Sequence, residues 1–195
     1  MTIPVRYVDD IWKHLDEYDA LCITINGFVT QNFEAVMGRG IALQACERFP
    51  DLKKYVGQKL LEKDPESPLV DYSEWSKDCN FITFQVKPAS VIAAADLSNV
   101  VKHWRSKVRP NGYVPGFAAI ANKELIVKSC LSLYSLIESL SYVTIKNDGI
   151  TPLLSRRRIA LPKPGCGAGE LSWEEIEPLI EPLLHPYVEI IDRRT

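Results

Sequence analysis

Ala20-Leu21-Cys22-Ile23-Thr24-Ile25, closed by Asn26-Gly27, is the stretch that decides the fold. It is apolar almost without interruption over the length of one strand. A strand wet on one face alternates apolar and polar residues, whereas a strand covered on both faces does not. Asn-Gly is a strong turn signal, so the run reads as a central strand ending at Asn26.

Outward from that run the chain alternates strand-like and helix-like patterns. Ala42, Ala45, Cys46 and Phe49 recur at i, i+3, i+4, i+7, a helical spacing that Pro50 ends. Phe81 to Val86 reads as another strand. Ile126, Cys130, Leu133, Ile137 and Leu140 mark one face of a long helix starting near Asn122. Arg158 to Leu161 is a short strand ended by Pro162, and Val188 to Ile191 is the last. This alternation predicts an α/β sandwich with a mostly parallel sheet. The segment from about 88 to 121 breaks the rhythm. It carries a possible strand at Val91 to Ala95, then a basic run, then the turn signals Pro110-Asn111-Gly112 and Pro115-Gly116. It reads as an insertion on one domain spanning 1–195.

The composition supports an ordinary globular domain: 195 residues, 46% hydrophobic and 25% charged. A net charge of -2 excludes a general positive field for nucleic acid. No apolar run reaches the ~18 residues of a membrane span, so no membrane partner is expected. Met1 to Arg6 lacks the basic and apolar regions of a signal peptide, which predicts a cytoplasmic protein. Cys22, Cys46, Cys79, Cys130 and Cys166 are scattered, with no CxxC pair, and read as free thiols in a reducing compartment rather than a zinc site. His14, His103 and His185 show no metal spacing, so neither metal nor cofactor is expected.

Two glycine loops carry the chemistry. Val36-Met37-Gly38-Arg39-Gly40-Ile41-Ala42 lies between the central strand and the first helix. Its glycines let backbone approach a ligand, and a helix N-terminus behind them presents N–H groups to an anion. Leu161-Pro162-Lys163-Pro164-Gly165-Cys166-Gly167-Ala168-Gly169 follows a later strand and could wrap a phosphate in the same way. In open α/β sheets ligands lie beyond the carboxyl ends of the strands, so the pair suggests a diphosphate gripped from both sides. Neither loop is a P-loop or a GxGxxG fingerprint, and two tight turns are the plain alternative. Beyond the second loop, Ser172 and Glu175 form a capping box, and Pro178 and Pro182 predict a helix that is short, kinked or starts later than the box implies.

Several segments resemble, in order, a macrodomain, the ADP-ribose-binding α/β/α module. Val8-Asp9-Asp10-Ile11 resembles its early Gly-Asp-Ile, with Asp9 in place of glycine. Ile23 to Gly27 resembles the strand ending in asparagine, and the two glycine loops resemble its phosphate loops. The resemblance implies a three-layer α/β/α fold around a central mixed, mostly parallel sheet. Met-Gly-x-Gly-Ile-Ala and Gly-Cys-Gly are most similar to a branch holding the terminal ADP-ribose protein glycohydrolase and the antitoxin macrodomains that take ADP-ribose off DNA. It implies that Asp10 accepts from the adenine amino group beside Ile11 and that Asn26 lies near the distal ribose. Met37, Gly38, Arg39, Gly40 and Ile41 would face Gly165, Cys166, Gly167, Ala168 and Gly169 across the diphosphate.

The same branch uses a lysine at a strand end, which here is Lys87, able to attack the anomeric carbon or hold the departing acid. The glycohydrolase also has an aspartate two residues after the last glycine of Gly-Cys-Gly. This chain has Gly169 there, then Glu170. The expected function is binding of ADP-ribose or an ADP-ribosylated macromolecule, with hydrolysis of an ADP-ribosyl linkage. The alternatives are a reader without turnover and a phosphatase acting on ADP-ribose 1''-phosphate. On residue type alone, Asp10 also reads as a helix cap, Asn26 as a turn former, Lys87 as a solvated lysine and Trp173 as packing under the loop. Cys166 lacks a His–Asp pair to activate it. Lys102, His103, Arg105, Lys107 and Arg109, around Trp104, are a solvated face or, if clustered near the ligand mouth, a contact for a nucleic-acid backbone or a second phosphate, and Arg156-Arg157-Arg158 is a shorter run of the same kind.

Overall fold

In a computed structural model, which describes residues 3–76, 79–141, 145–146, 149–150 and 158–193, the apolar run becomes strand β2 (Ala20–Asn26) at the middle of a six-stranded sheet. Arg156 and Arg157 fall outside the described residues. The sheet also holds β1 (Val5–Val8), β3 (Tyr72–Ser76), β4 (Cys79–Lys87), β9 (Ile159–Pro162) and β10 (Val188–Arg193), in the order β1-β10-β9-β2-β4-β3. Every neighbouring pair is parallel except β3 with β4, so the sheet is mixed and mostly parallel, as expected.

Side chains of β2 alternate between two cores. Leu21, Ile23 and Ile25 face α1 (Gly40–Arg48) and α2 (Leu52–Glu62), which contribute Ala42, Ala45, Cys46, Leu52, Val56 and Leu60. Ala20 and Cys22 face α3 (Lys123–Ser141) and α4 (Trp173–Ile180) through Ile126, Cys130, Leu133, Ile137, Ile176 and Ile180. These are the three layers. Asn122 starts α3 by accepting from Leu125 N–H at 2.8 Å. The Glu175 carboxylate accepts from Ser172 N–H at 3.1 Å, so α4 begins where its box implies. Pro178 lies inside α4, which soon gives way to a 3-10 turn at Glu181–Leu183.

The 88–121 segment sits between β4 and α3. It forms a small antiparallel pair, β5 (Ser90–Ile92) with β6 (Tyr113–Pro115), over its own core of Ala93, Val100, Val114, Ala118 and Ala119. The expected strand at Val91 to Ala95 ends early, at Ile92. The basic run forms a 3-10 turn, Lys102–Lys107. A second short pair joins β7 (Ile145–Lys146) to β8 (Gly149–Ile150). No helix of the described residues is long and apolar enough to cross a membrane.

Candidate functional site

All five parallel strands end on one side of the molecule, at Val8, Asn26, Lys87, Pro162 and Arg193. Both glycine loops lie there. Between them run two adjoining cavities of about 340 Å³ and about 940 Å³, which share Gly40, Ile41, Pro162, Lys163 and Gly167. The smaller one is lined by Asn26, the whole first loop from Met37 to Ile41, Lys87, Gly165 and the stretch Gly167 to Gly169. The larger one is lined by Asp10, Ile11, Cys166, Trp12 and Arg48, with Trp173 beside them. Every residue expected at the site therefore borders one continuous cleft.

Backbone amides dominate that cleft. Gly38, Gly40 and Ile41 on one side, and Gly167, Ala168 and Gly169 on the other, border the cleft with backbone N–H groups that have no protein acceptor among the described residues. Arg39 provides no side-chain cap for α1, so the helix N-terminus stays open. Unpaired N–H groups at a helix start and in a glycine loop suit an anion.

Asp10 and Asn26 have structural as well as facing roles. Asp10 Oδ1 accepts from Trp12 N–H at 3.1 Å, capping a 3-10 turn at Ile11–Lys13. The cap reading is thus correct, no hydrogen bond of the described residues engages Oδ2, and Asp10 borders the larger cavity. Asn26 donates from Nδ2 to the Val36 carbonyl at 2.7 Å and accepts from Phe28 N–H at 2.9 Å. Its amide ties the end of β2 to the first loop.

Lys87 is not a solvated lysine. It is 6% exposed, and Nζ donates to the Ala168 carbonyl at 2.8 Å and the Phe117 carbonyl at 3.4 Å. Burial pushes its amine down to about 8; nearby Glu170 opposes that shift and Arg39 adds to it. Near neutral pH a fraction of Lys87 is therefore an unprotonated amine, the form that attacks carbon.

The glycine at the aspartate position has a steric cause. A Cβ on Gly169 would stand 2.3 Å from the Gly165 carbonyl oxygen and 2.7 Å from Ala121 Cβ, and Gly165 itself has φ +78. Nothing larger than hydrogen fits at 169. Glu170 does not replace the missing acid: both its carboxylate oxygens accept from Lys102 N–H at 3.1 Å, tying the second loop to the 88–121 segment. Burial raises the Cys166 thiol to about 11, so it is a poor nucleophile. Trp173 is partly buried against the core with Cys166 and Leu171 and also borders the cleft, and Lys163 Nζ stands 5.3 Å from its ring centroid.

Four further wall residues were not assigned to the site from the sequence, although His103 and Trp104 belong to the basic run read as a solvated face or a contact near the ligand mouth. Lys163 Nζ pairs with Asp192 at 2.7 Å where the two cavities meet, and only its position inside the second loop hinted at it. His103, Trp104 and Phe117 come from the 88–121 segment and line the cavity at Lys87. Trp104 packs edge-on against Phe117 at 5.3 Å. No local pattern signals this, because it depends on how the segment folds back. Among the described residues no group of three or more His, Cys, Asp or Glu side chains could hold a metal ion, and Cys22, Cys46, Cys130 and Cys166 are free thiols.

No protein-family model matches the chain, and no curated protein does. Solved structures match it over nearly its whole length. The macrodomain of Mycobacterium tuberculosis DarG superposes with a TM-score of 0.58 at 21% identity, covering 99% of each chain. The macrodomain of Thermus aquaticus DarG gives 0.58 at 20% identity, covering 98% of this chain and 99% of the other. Thermosipho africanus DarTG in complex with ADP-ribose gives 0.51 at 16% identity, covering 92% of this chain and 39% of that longer one. With its six-stranded mixed sheet between two helical layers and its cleft at the strand ends, the chain has the macrodomain fold.

Proposed function

We propose that this cleft binds ADP-ribose and that the protein hydrolyses the bond joining ADP-ribose to a macromolecule. The observation that carries the reading is that six residues of both glycine loops whose backbone N–H groups have no protein acceptor among the described residues line one cavity with a buried lysine. The diphosphate lies between the loops, held by N–H groups and the α1 N-terminus. Adenine lies in the larger cavity, its amino group donating to Asp10, and the distal ribose reaches the smaller cavity at Lys87. The matched DarTG structure, which contains ADP-ribose, supports the choice of ligand.

Lys87 attacks the anomeric carbon of the distal ribose as a neutral amine. Its two carbonyl partners fix the direction of Nζ. The attached macromolecule leaves over the wall formed by His103 and Trp104, where the run Lys102 to Arg109 supplies cations. That wall favours a nucleic-acid strand as a second reading of what is attached.

Single-turnover release of ADP-ribose from modified protein and from a modified oligonucleotide, with wild type and Lys87→Ala, tests the proposal. Release by wild type, lost in the variant while ADP-ribose binding persists, is the expected result. Binding without release from either substrate means a reader. Inorganic phosphate freed from ADP-ribose 1''-phosphate means a phosphatase.

A further inference from the structure

The departing group must take a proton unless it is already a stable anion, and the part of the cleft at Lys87 has no carboxylic acid to give one. The described residues around the cavity at Lys87 include no Asp or Glu. Glu170 is engaged with Lys102 N–H, and Lys163 is paired with Asp192. Arginine does not release its proton at working pH, which excludes Arg39. Lys87 must be neutral to attack, so it cannot deliver a proton in the same step. One proton-exchanging side chain remains on that wall, His103.

Resting on the hydrolytic reading above, we propose that His103 is the proton donor to the leaving group. Its backbone is anchored on both sides. Before it, Lys102 N–H is held by Glu170; after it, Trp104 donates its N–H to the Val101 carbonyl at 2.9 Å and packs on Phe117. Phe117 is also the residue whose carbonyl accepts from Lys87, so the proton donor and the amine share one support. The imidazole makes no hydrogen bond among the described residues, and both ring nitrogens are open to a substrate.

The step balances. Lys87 Nζ forms a bond to the anomeric carbon as the bond to the departing atom breaks, and that electron pair stays with the departing atom, which takes the imidazolium proton. Water then adds its hydroxyl to the anomeric carbon and its other proton to Nζ as the carbon–nitrogen bond breaks. Proton transfer from the resulting ammonium to the imidazole restores both residues.

A carboxylate leaves without help, whereas a nitrogen or an alkoxide needs the proton. The test compares His103→Ala and His103→Gln with wild type on two substrates: ADP-ribose esterified to a glutamate side chain, and ADP-ribose joined through nitrogen to a nucleobase. Both variants should cleave the nitrogen-linked substrate about 100-fold more slowly, stay within about 3-fold of wild type on the ester, and bind free ADP-ribose unchanged. A general structural defect would slow both substrates alike. Equal slowing of both, no slowing of either, or wild-type turnover confined to the ester overturns the role of His103 and leaves the hydrolytic reading standing. A wild type that binds ADP-ribose and cleaves neither substrate overturns that reading, and this inference with it.

Discussion

The Lys87 ammonium donates to the Ala168 carbonyl at 2.8 Å, joining the end of β4 to the second glycine loop through one buried side chain. The contact holds the amine against the second glycine loop, proposed above to carry the diphosphate, and the same burial lowers its proton affinity. Lys87→Ala should lose turnover by at least about 100-fold and keep ADP-ribose binding. In wild type the rate on the ester-linked substrate, whose carboxylate leaves without a proton from His103, should rise with pH and level off above about 8, because deprotonation makes the nucleophile. A rate that falls across that range would contradict an attacking amine.

Gly169→Asp should not restore an acid to the cleft. Its Cβ would stand 2.3 Å from the Gly165 carbonyl oxygen, so the variant should lose about 2–4 kcal/mol in chemical denaturation. Gly167 differs, because a Cβ there meets nothing within 4 Å. Gly167→Leu should stay within about 1 kcal/mol of wild type yet bind ADP-ribose at least about 10-fold more weakly, since the side chain fills ligand space. Equal stability losses at the two positions would show that the loop is held differently.

Asp10 separates capping from recognition. Asp10→Ala should cost about 1 kcal/mol of stability, from loss of the bond to Trp12 N–H, and should also weaken binding. Asp10→Asn keeps an oxygen for the cap but loses the charge. It should match wild type in thermal unfolding and bind ADP-ribose about 10-fold more weakly. Unchanged binding in both variants would remove Asp10 from the adenine site.

How far the fold was legible depended on which residues face both layers. β2 could be read because it is apolar almost over its length and buried on both faces, and β4 because Phe81, Ile82, Phe84 and Val86 dominate it, although Thr83 and Gln85 are buried polar residues between them. β1 and β3 are edge strands of four and five residues with mixed patterns, and they declare themselves only by pairing. Helix α2 was missed although Leu52, Val56 and Leu60 keep helical spacing, because Gly57 argues locally against a helix. In the fold a Cβ at 57 would stand 2.1 Å from the Phe33 carbonyl oxygen, so that glycine answers to a loop packed across the helix. The two glycine loops were legible because glycine spacing is a local signal. Lys87's burial and the wall of His103 and Trp104 were not, since both depend on the 88–121 segment folding over the strand ends.

Away from the cleft, Arg6 Nη1 donates to Glu17 at 2.7 Å, and the pair meets Glu189 and Arg158 across β1 and β10. The bond to Arg6 holds the Glu17 carboxyl down at about 2, with His14 adding to the effect. A carboxylate depressed by folding stabilises above its unfolded pKa and loses that contribution as pH falls through the folded value. The stability gap between wild type and Arg6→Met should be largest above about pH 5 and shrink toward pH 2 in urea denaturation. A gap constant with pH would assign the cost to packing.

The most direct test of the cleft is a calorimetric titration of the wild-type protein with ADP-ribose, with AMP and NAD as controls. Saturable one-to-one binding, roughly micromolar or tighter and stronger than either control, is the predicted result. No heat with ADP-ribose, or heat no different from that with AMP, would contradict the account and leave only the fold.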